Sequence, residues 1–377
     1  MAILSQPTAA TPLHIIATVN AAWNMWHFRR HLLEALLADG HRVTVLAPPD
    51  DSVADIVASG CRFLPLKMNR KGLNPVSEIG LWRQFRAIFR REAPDLVLGF
   101  TIKNNLFGAR AAHALGIPFI PNVTGLGTAF LSGGTLLRVA KRLYRDAFTH
   151  CPIVFFQNND DADLFVELDL VGKGQVRLLS GSGIDLSQFA VEPLPDRHEP
   201  LTFLMIARLL RDKGVHEYAQ AARRMRSDHP HARFRLLGAV DNDNRSAIPL
   251  AQIEAWEAEG IVEYCGTCTD VRPAIASAHC IVLPSYREGA PRTLIEGAAM
   301  GRPLIASDVP GCRAVVDDAT NGYLCAVRSG DALADAMDRF ARLDEGKRSD
   351  MGRRSREKME REFDVAHIIA AYRSAIV

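Results

Sequence analysis

Two acids, Glu288 and Glu296, are separated by seven residues in the stretch Pro284-Ser-Tyr-Arg-Glu-Gly-Ala-Pro-Arg-Thr-Leu-Ile-Glu-Gly-Ala-Ala-Met-Gly-Arg-Pro303. An apolar run ending near Leu283 precedes them and reads as a strand. Gly289 permits a tight turn, Pro291 suits the first position of a helix, and Gly301 followed by Pro303 stops it. Glu288 is therefore expected in the turn and Glu296 in the second helical turn. The unpaired N–H groups at such a helix start, with the positive end of the macrodipole behind them, suit an anionic diphosphate. The competing reading is an ordinary strand, turn and helix with solvated acids.

A second group of residues fits the same chemistry. Arg208 ends the apolar run that begins at Leu201, and Lys213 stands five residues on, where a helical pattern starts. A guanidinium fork and an ammonium point charge can converge on one diphosphate. Arg211 is the alternative contact. Asp241-Asn-Asp243 has the D-x-D form that can hold a divalent metal, but its polar loop makes turn formation the better explanation. Cys265-Gly-Thr-Cys268 lacks the second pair that a zinc ribbon needs, and an odd total of seven cysteines implies no disulfide framework.

These residues need strands to end where they stand. The 377 residues predict two domains, and 48% apolar with 23% charged residues excludes a disordered or fibrous chain. Short apolar runs alternate with helix-period segments. Strands are expected at 13–19, 42–47, 62–66, 95–99, 118–122, 153–157 and 176–179, then at 201–206, 232–237, 261–264, 280–284 and 303–306. Helices are expected at 26–38, 78–91, 213–228 and 291–300. This rhythm predicts an α/β protein of two Rossmann-like, doubly wound parallel-sheet domains, facing each other across a cleft. Ligands of such sheets bind at the carboxyl ends of the strands. The expected division is 1–182, a linker at 183–200, 201–362, and a C-terminal helix at 363–377 packing back on the first domain.

Together the segments resemble the retaining glycosyltransferases of family 4, with the GT-B fold. The Glu288/Glu296 spacing, the Arg208/Lys213 pair, and Gly183-Ile-Asp185 with Phe189 carry the likeness. His27-Phe-Arg29, Leu73-Asn74-Pro75, Lys103 and Thr124-Gly125-Leu-Gly127 look like a narrower group, which includes capsule transferases and N-acetylgalactosaminyltransferases acting on polyprenyl-diphosphate-linked sugars. The resemblance implies a metal-independent transfer from a UDP-sugar. Arg208, Lys213 and Glu288 would be catalytic. Gly289, Ala290, Pro291, Arg292, Glu296, Thr267 and Val271 would bind the donor. His27, Arg29, Asn74, Lys103, Gly125 and Gly127 would lie on the acceptor side. Two features depart from the family: Asn20-Ala-Ala-Trp-Asn24 lacks the usual glycine pair, and Ile102 stands where a histidine is common.

The overall charge is only +2, which excludes a nucleic-acid-coating protein, but residues 20–145 hold 17 Lys and Arg against 8 Asp and Glu. An anionic partner or a solvated basic face would each account for this. Residues 78–91 and 136–148 interleave cations with large apolar residues, as in helices that lie on anionic bilayers or in helices packed on a core. The uncharged stretch 111–137 holds five glycines and two prolines, too many breakers for a membrane span. The first 28 residues carry no charged side chain, so no signal-peptide n-region is visible. The expected location is the cytoplasm, peripheral at the inner membrane face. A nucleotide-sugar epimerase of similar fold and a non-catalytic nucleotide-sugar-binding protein remain as alternatives.

Overall fold

Strand residues of alternating facing build the first sheet. Ile15 and Ala17 of β1 (His14–Thr18) face one core with Val43 and Val45 of β2 (Arg42–Ala47), whereas Ile16 of β1 faces another with Phe85 and Phe89. The computed structural model describes residues 11–69, 75–125, 134–241, 244 and 246–376. They divide into two units, one of residues 1–182 with 366–377 and one of residues 183–365.

The first unit holds a seven-stranded parallel sheet in the order β3-β2-β1-β4-β5-β6-β7. Its further strands are β3 (Arg62–Pro65), β4 (Leu96–Phe100), β5 (Phe119–Val123), β6 (Val154–Phe156) and β7 (Val176–Leu178). Helices Pro75–Glu92 and Gly134–Phe148 cover one face through Phe85, Phe89, Tyr144 and Phe148. Helix Ala22–Ala38 covers the other through Met25, Leu32, Leu33 and Leu36. It begins a turn before the expected residue 26, so Ala22 to Asn24 are helical rather than a loop. Phe85, Phe89, Tyr144 and Phe148 thus serve the core, while Ile79 and Val139 of the same helices are exposed.

The last helix, Val365–Ile376, packs in this unit from Ala366 onward. Tyr372 lies between Phe100 and Phe155, with ring centroids 6.2 and 4.8 Å away, and its hydroxyl accepts a hydrogen bond of 2.9 Å from Asn122 Nδ2. Arg373 forms a fork on Asp39 through two hydrogen bonds of 2.7 Å.

The second unit holds a six-stranded parallel sheet in the order β10-β9-β8-β11-β12-β13. The strands are β8 (Thr202–Ile206), β9 (Arg233–Leu237), β10 (Glu263–Tyr264), β11 (Cys280–Leu283), β12 (Leu304–Ser307) and β13 (Gly322–Cys325). Phe203 and Met205 point to one core and Leu204 and Ile206 to the other. The edge strand β13 is not among the expected strands: its four residues open on a glycine, and the preceding polar turn hides the run. Residues 183–200, expected as a linker, lie within this unit, where Ile184 is fully buried and its N–H donates to Phe363 O at 2.8 Å.

Tyr372→Phe would keep the ring packing but leave the buried Asn122 amide without its acceptor. We expect a loss of about 1–2 kcal/mol, read from urea unfolding curves.

Candidate functional site

Strand order reverses between β8 and β11, so the loops leaving their carboxyl ends form a crevice at the switch point of the second sheet. Arg208 follows β8 by two residues, and Pro284 to Gly289 follow β11. The two loops meet backbone to backbone. Gly214 has φ of 78°, and a Cβ there would lie 2.1 Å from Pro284 O. Only glycine satisfies both conditions. Tyr286 N donates to Asp212 O at 2.9 Å, and Ser285 Oγ to the same carbonyl at 3.2 Å.

This junction brings Lys213 Nζ to 2.5 Å from Glu288 Oε1, with only 24% and 11% of the two side chains exposed. Lys213 ends the short 3-10 turn Arg211–Lys213, and helix Val215–Asp228 follows Gly214. Arg208 is more open, with Nη1 3.6 Å from Asp241 Oδ2. Arg211 is exposed. Asp241 therefore meets a guanidinium, while Asn242 and Asp243 lie outside the described residues. Among the described residues no cluster of three or more His, Cys, Asp or Glu is placed to hold a metal ion.

Helix Arg292–Ala299 starts one residue later than expected. Pro291 is its N-cap, and its carbonyl accepts from the N–H groups of Leu294 and Ile295 at 3.1 and 3.2 Å. The Pro291 side chain makes no capping hydrogen bond to this start. Gly297 lets the helix lie on β11, since a Cβ there would be 2.5 Å from Ile281 Cγ1. Glu296 pairs one turn back with Arg292 at 2.7 Å, and Arg292 Nη1 donates to Gly183 O at 2.7 Å. Phe189 lies under the same guanidinium at 5.8 Å. Burial raises the Glu296 carboxyl above the ordinary glutamate value, against the pull of Arg292.

After β10 the chain turns at Gly266, with Thr267 exposed and Val271 half-buried at the start of helix Arg272–Ala276. Asp270 in this turn is near enough to Glu296 to raise its carboxyl slightly.

Several supporting residues carried no signal in the sequence. Tyr286 donates from its hydroxyl to Glu217 Oε1 at 2.7 Å, and the Arg328 guanidinium covers its ring at 4.8 Å. Burial, then the Glu217 carboxylate, pushes the Tyr286 hydroxyl up to about 12, so it stays a donor. Gly311 backs the turn, because a Cβ there would approach the carbonyl oxygens of Glu288 and Gly289 to 2.5 Å. Glu217, Gly311 and Arg328 are remote in the chain, and only the folded sheet brings them to one place.

The first unit has its own switch point, between β1 and β4. A cavity of about 340 Å³ there is lined by Asn20, Met68, Thr101, Ile102, Lys103, Thr124 and Gly125. Lys103 Nζ is held by Glu78 Oε1 at 2.6 Å and Asn69 O at 2.8 Å. Thr101 adopts φ of 69°, an uncommon value for a β-branched residue, and its hydroxyl donates to Asn104 Oδ1 at 2.9 Å. Arg29 is buried away from the lining: Nη1 donates to Asn24 at 2.7 Å and the guanidinium lies 4.3 Å from the Phe100 ring. His27 is exposed, stacked on Trp23 at 4.4 Å with Nδ1 3.0 Å from Trp23 O. Of the residues expected on this side, Lys103 and Gly125 share the cavity, His27 and Arg29 do not, and Asn74 and Gly127 lie outside the described residues.

Comparison with known proteins follows this division. The family model for glycosyl transferases group 1 matches residues 188–358, and that for the glycosyl transferase 4-like domain matches residues 25–181. The N,N'-diacetylbacillosaminyl-diphospho-undecaprenol alpha-1,3-N-acetylgalactosaminyltransferase of Campylobacter jejuni is 26% identical over 84% of this chain and 86% of its own. The UDP-Gal:alpha-D-GlcNAc-diphosphoundecaprenol alpha-1,3-galactosyltransferase of Escherichia coli is 24% identical over 84% and 81%. Among solved structures, Anabaena HepE in complex with UDP-glucose superposes with a TM-score of 0.75 at 17% identity, over 96% of this chain and 100% of that one. These structural neighbours share the GT-B fold.

Gly214→Ala would force a Cβ into Pro284 O and a strained φ at once. We expect destabilisation of at least about 2 kcal/mol in a urea titration, because the two loops must separate and draw Lys213 away from Glu288.

Proposed function

The chain belongs to the group 1 glycosyl transferases, with a glycosyl transferase 4-like first half, and we propose that it moves an N-acetylhexosamine from a UDP-sugar to a polyprenyl-diphosphate-linked or other glycan acceptor, with retention at the anomeric carbon. The reaction would serve a bacterial surface polysaccharide such as a capsule. The observation that carries the reading is the Lys213–Glu288 pair at the switch point, with Arg208 on the same loop as Lys213. The acceptor and donor classes follow the names of the two similar transferases and the UDP-glucose complex.

In this reaction the bond from the sugar C1 to the β-phosphate oxygen breaks and its electron pair goes to the departing diphosphate. Cations fixed beforehand stabilise that charge better than water, which must reorient. Lys213 fills this role, with Glu288 on its ammonium holding it in place and meeting the donor sugar. Arg208 adds a second cation from the more open side. The backbone of Gly289, Ala290, Pro291 and Arg292 at the helix start takes the phosphate oxygens. Glu296 accepts from the ribose hydroxyls, and the turn at Thr267 to Val271 receives the base. The acceptor oxygen bonds to C1 on the face the diphosphate leaves, and its proton passes to a departing phosphate oxygen. Neither an enzyme nucleophile nor a divalent ion takes part.

The first unit receives the acceptor at the cavity beside Lys103 and Gly125. The protein works in the cytoplasm, peripheral to the membrane. Support for that membrane association comes from cations on the solvent faces of helices Pro75–Glu92 and Gly134–Phe148, including Arg83, Arg90 and Arg142, beside the exposed Ile79 and Val139.

Incubation with UDP-sugars, undecaprenyl-diphosphate-linked glycans and EDTA tests the reading: radiolabelled sugar should reach the lipid fraction at an unchanged rate. Lys213→Ala and Arg208→Ala should each lower turnover by at least about 100-fold. Normal rates in both, or activity abolished by EDTA and restored by manganese, overturn the assignment. The raised Glu296 carboxyl adds a pH dependence. Its carboxylate accepts hydroxyl protons best, so UDP affinity should fall as pH drops through that raised value, and Glu296→Gln should remove this acid limb in a calorimetric titration.

A further inference from the structure

The second unit has another concavity, at the amino-terminal ends of its strands. Its lining includes Leu201, which precedes β8, His231, which precedes β9, and His279, which precedes β11. The diphosphate-facing residues sit at the other ends of β8 and β11, about 15 Å away for strands of this length. The cavity measures about 660 Å³, room for a sugar with a charged substituent.

Its polar groups are unusual in what they lack. Arg348 donates from Nη2 to Ala341 O at 2.6 Å, but its buried Nε has no hydrogen-bond partner among the described residues. The Asp344 and Glu345 carboxylates lie near enough to act on its charge. Behind the lining, Arg302 is fully buried, and it too has a nitrogen, Nη1, without a partner among the described residues. Arg348 is half-buried and Arg302 fully buried, and neither guanidinium has a carboxylate in hydrogen-bond contact among the described residues, although Asp344, Glu345 and Glu192 act on them at longer range. His279 stands close enough to feel both cations. Its Nδ1 accepts from Thr202 N at 3.1 Å, which fixes the ring proton on Nε2 and makes that atom a donor. Burial first, then Arg348 and Arg302, lower its basicity to about 4, so the ring is neutral at physiological pH. Carboxylates of Glu199 and Glu345 also line the cavity and can accept from hydroxyl groups.

We propose that this cavity is a second ligand site, one that takes a sugar phosphate: the phosphate on Arg348 and His279, the sugar hydroxyls on Glu199 and Glu345. It is separate from the donor crevice and stands whether or not the transferase reaction is the one described above. The anion meets the Arg348 guanidinium and the His279 Nε2–H, which both line the cavity, and the acids discriminate against a bare phosphate.

The test is calorimetric titration of the full chain, saturated with UDP, using glucose 1-phosphate, inorganic phosphate and glucose in turn. Glucose 1-phosphate should bind at one site at least about tenfold more tightly than inorganic phosphate, and glucose should give no heat. Arg348→Gln should weaken glucose 1-phosphate by at least about tenfold, as removal of a charge-assisted hydrogen bond does, while its UDP affinity stays unchanged, which shows that the variant is folded. Lys213→Ala should impair UDP binding and leave glucose 1-phosphate affinity as it is. Loss of the glucose 1-phosphate signal when UDP is added would place it in the donor crevice and overturn the proposal. So would equal affinity in Arg348→Gln, or no binding by wild type. Should UDP itself fail to bind, the reading of the donor crevice falls, and the Arg348→Gln comparison still decides this one.

Discussion

The candidate site rests on one close backbone approach, the passage of Gly214 against the Pro284 carbonyl. A side chain at that position is excluded by 2.1 Å of space and by a left-handed φ. Because the two loops touch there, an ammonium from one and a carboxylate from the other meet at 2.5 Å in a largely dry setting. Burying both charges is costly, and their mutual attraction offsets the cost only when the geometry is good. Rigid backbone packing supplies that geometry. The hydrogen bonds from Tyr286 N and Ser285 Oγ to Asp212 O hold the same register.

Around this junction the sheet acts as a frame. Small residues allow close approach: Gly297 lies on the Ile281 side chain of β11, and Gly311 on the backbone of the Glu288 turn. Neither glycine is needed for a positive φ. Each is needed because the opposing atoms leave no volume for a methyl group. The result is a charged turn whose position is set by packing on three sides rather than by solvent-exposed ion pairs, which contribute little.

Much of this is legible in the chain because its signals are local. Apolar runs bounded by glycine and proline mark the buried strands, and the order glycine, proline, glycine, proline around Glu288 and Glu296 marks turn, helix and stop. The strand β13 escapes because four residues opening on a glycine carry almost no period. Pro291 stands one residue outside its helix, a difference that capping alone decides. Phe85, Phe89, Tyr144 and Phe148 could meet lipid or core by pattern alone, and only the sheet they cover resolves the ambiguity. The Tyr286–Glu217 hydrogen bond and the Arg348 cavity are invisible for a different reason: each joins residues that approach only once a parallel sheet has set their strand ends side by side.

The final helix has an implication for how the molecule is made. Tyr372 fills a space between Phe100 and Phe155, and Asn122 leans on its hydroxyl. The amino-terminal sheet therefore keeps an open seam until residue 372 has left the ribosome. The intervening unit, contiguous in the chain, is free to reach its final form first. Synthesis order and folding order are thus partly inverted, and a nascent chain stalled before residue 372 would expose a stripe of aromatic surface of the kind chaperones bind.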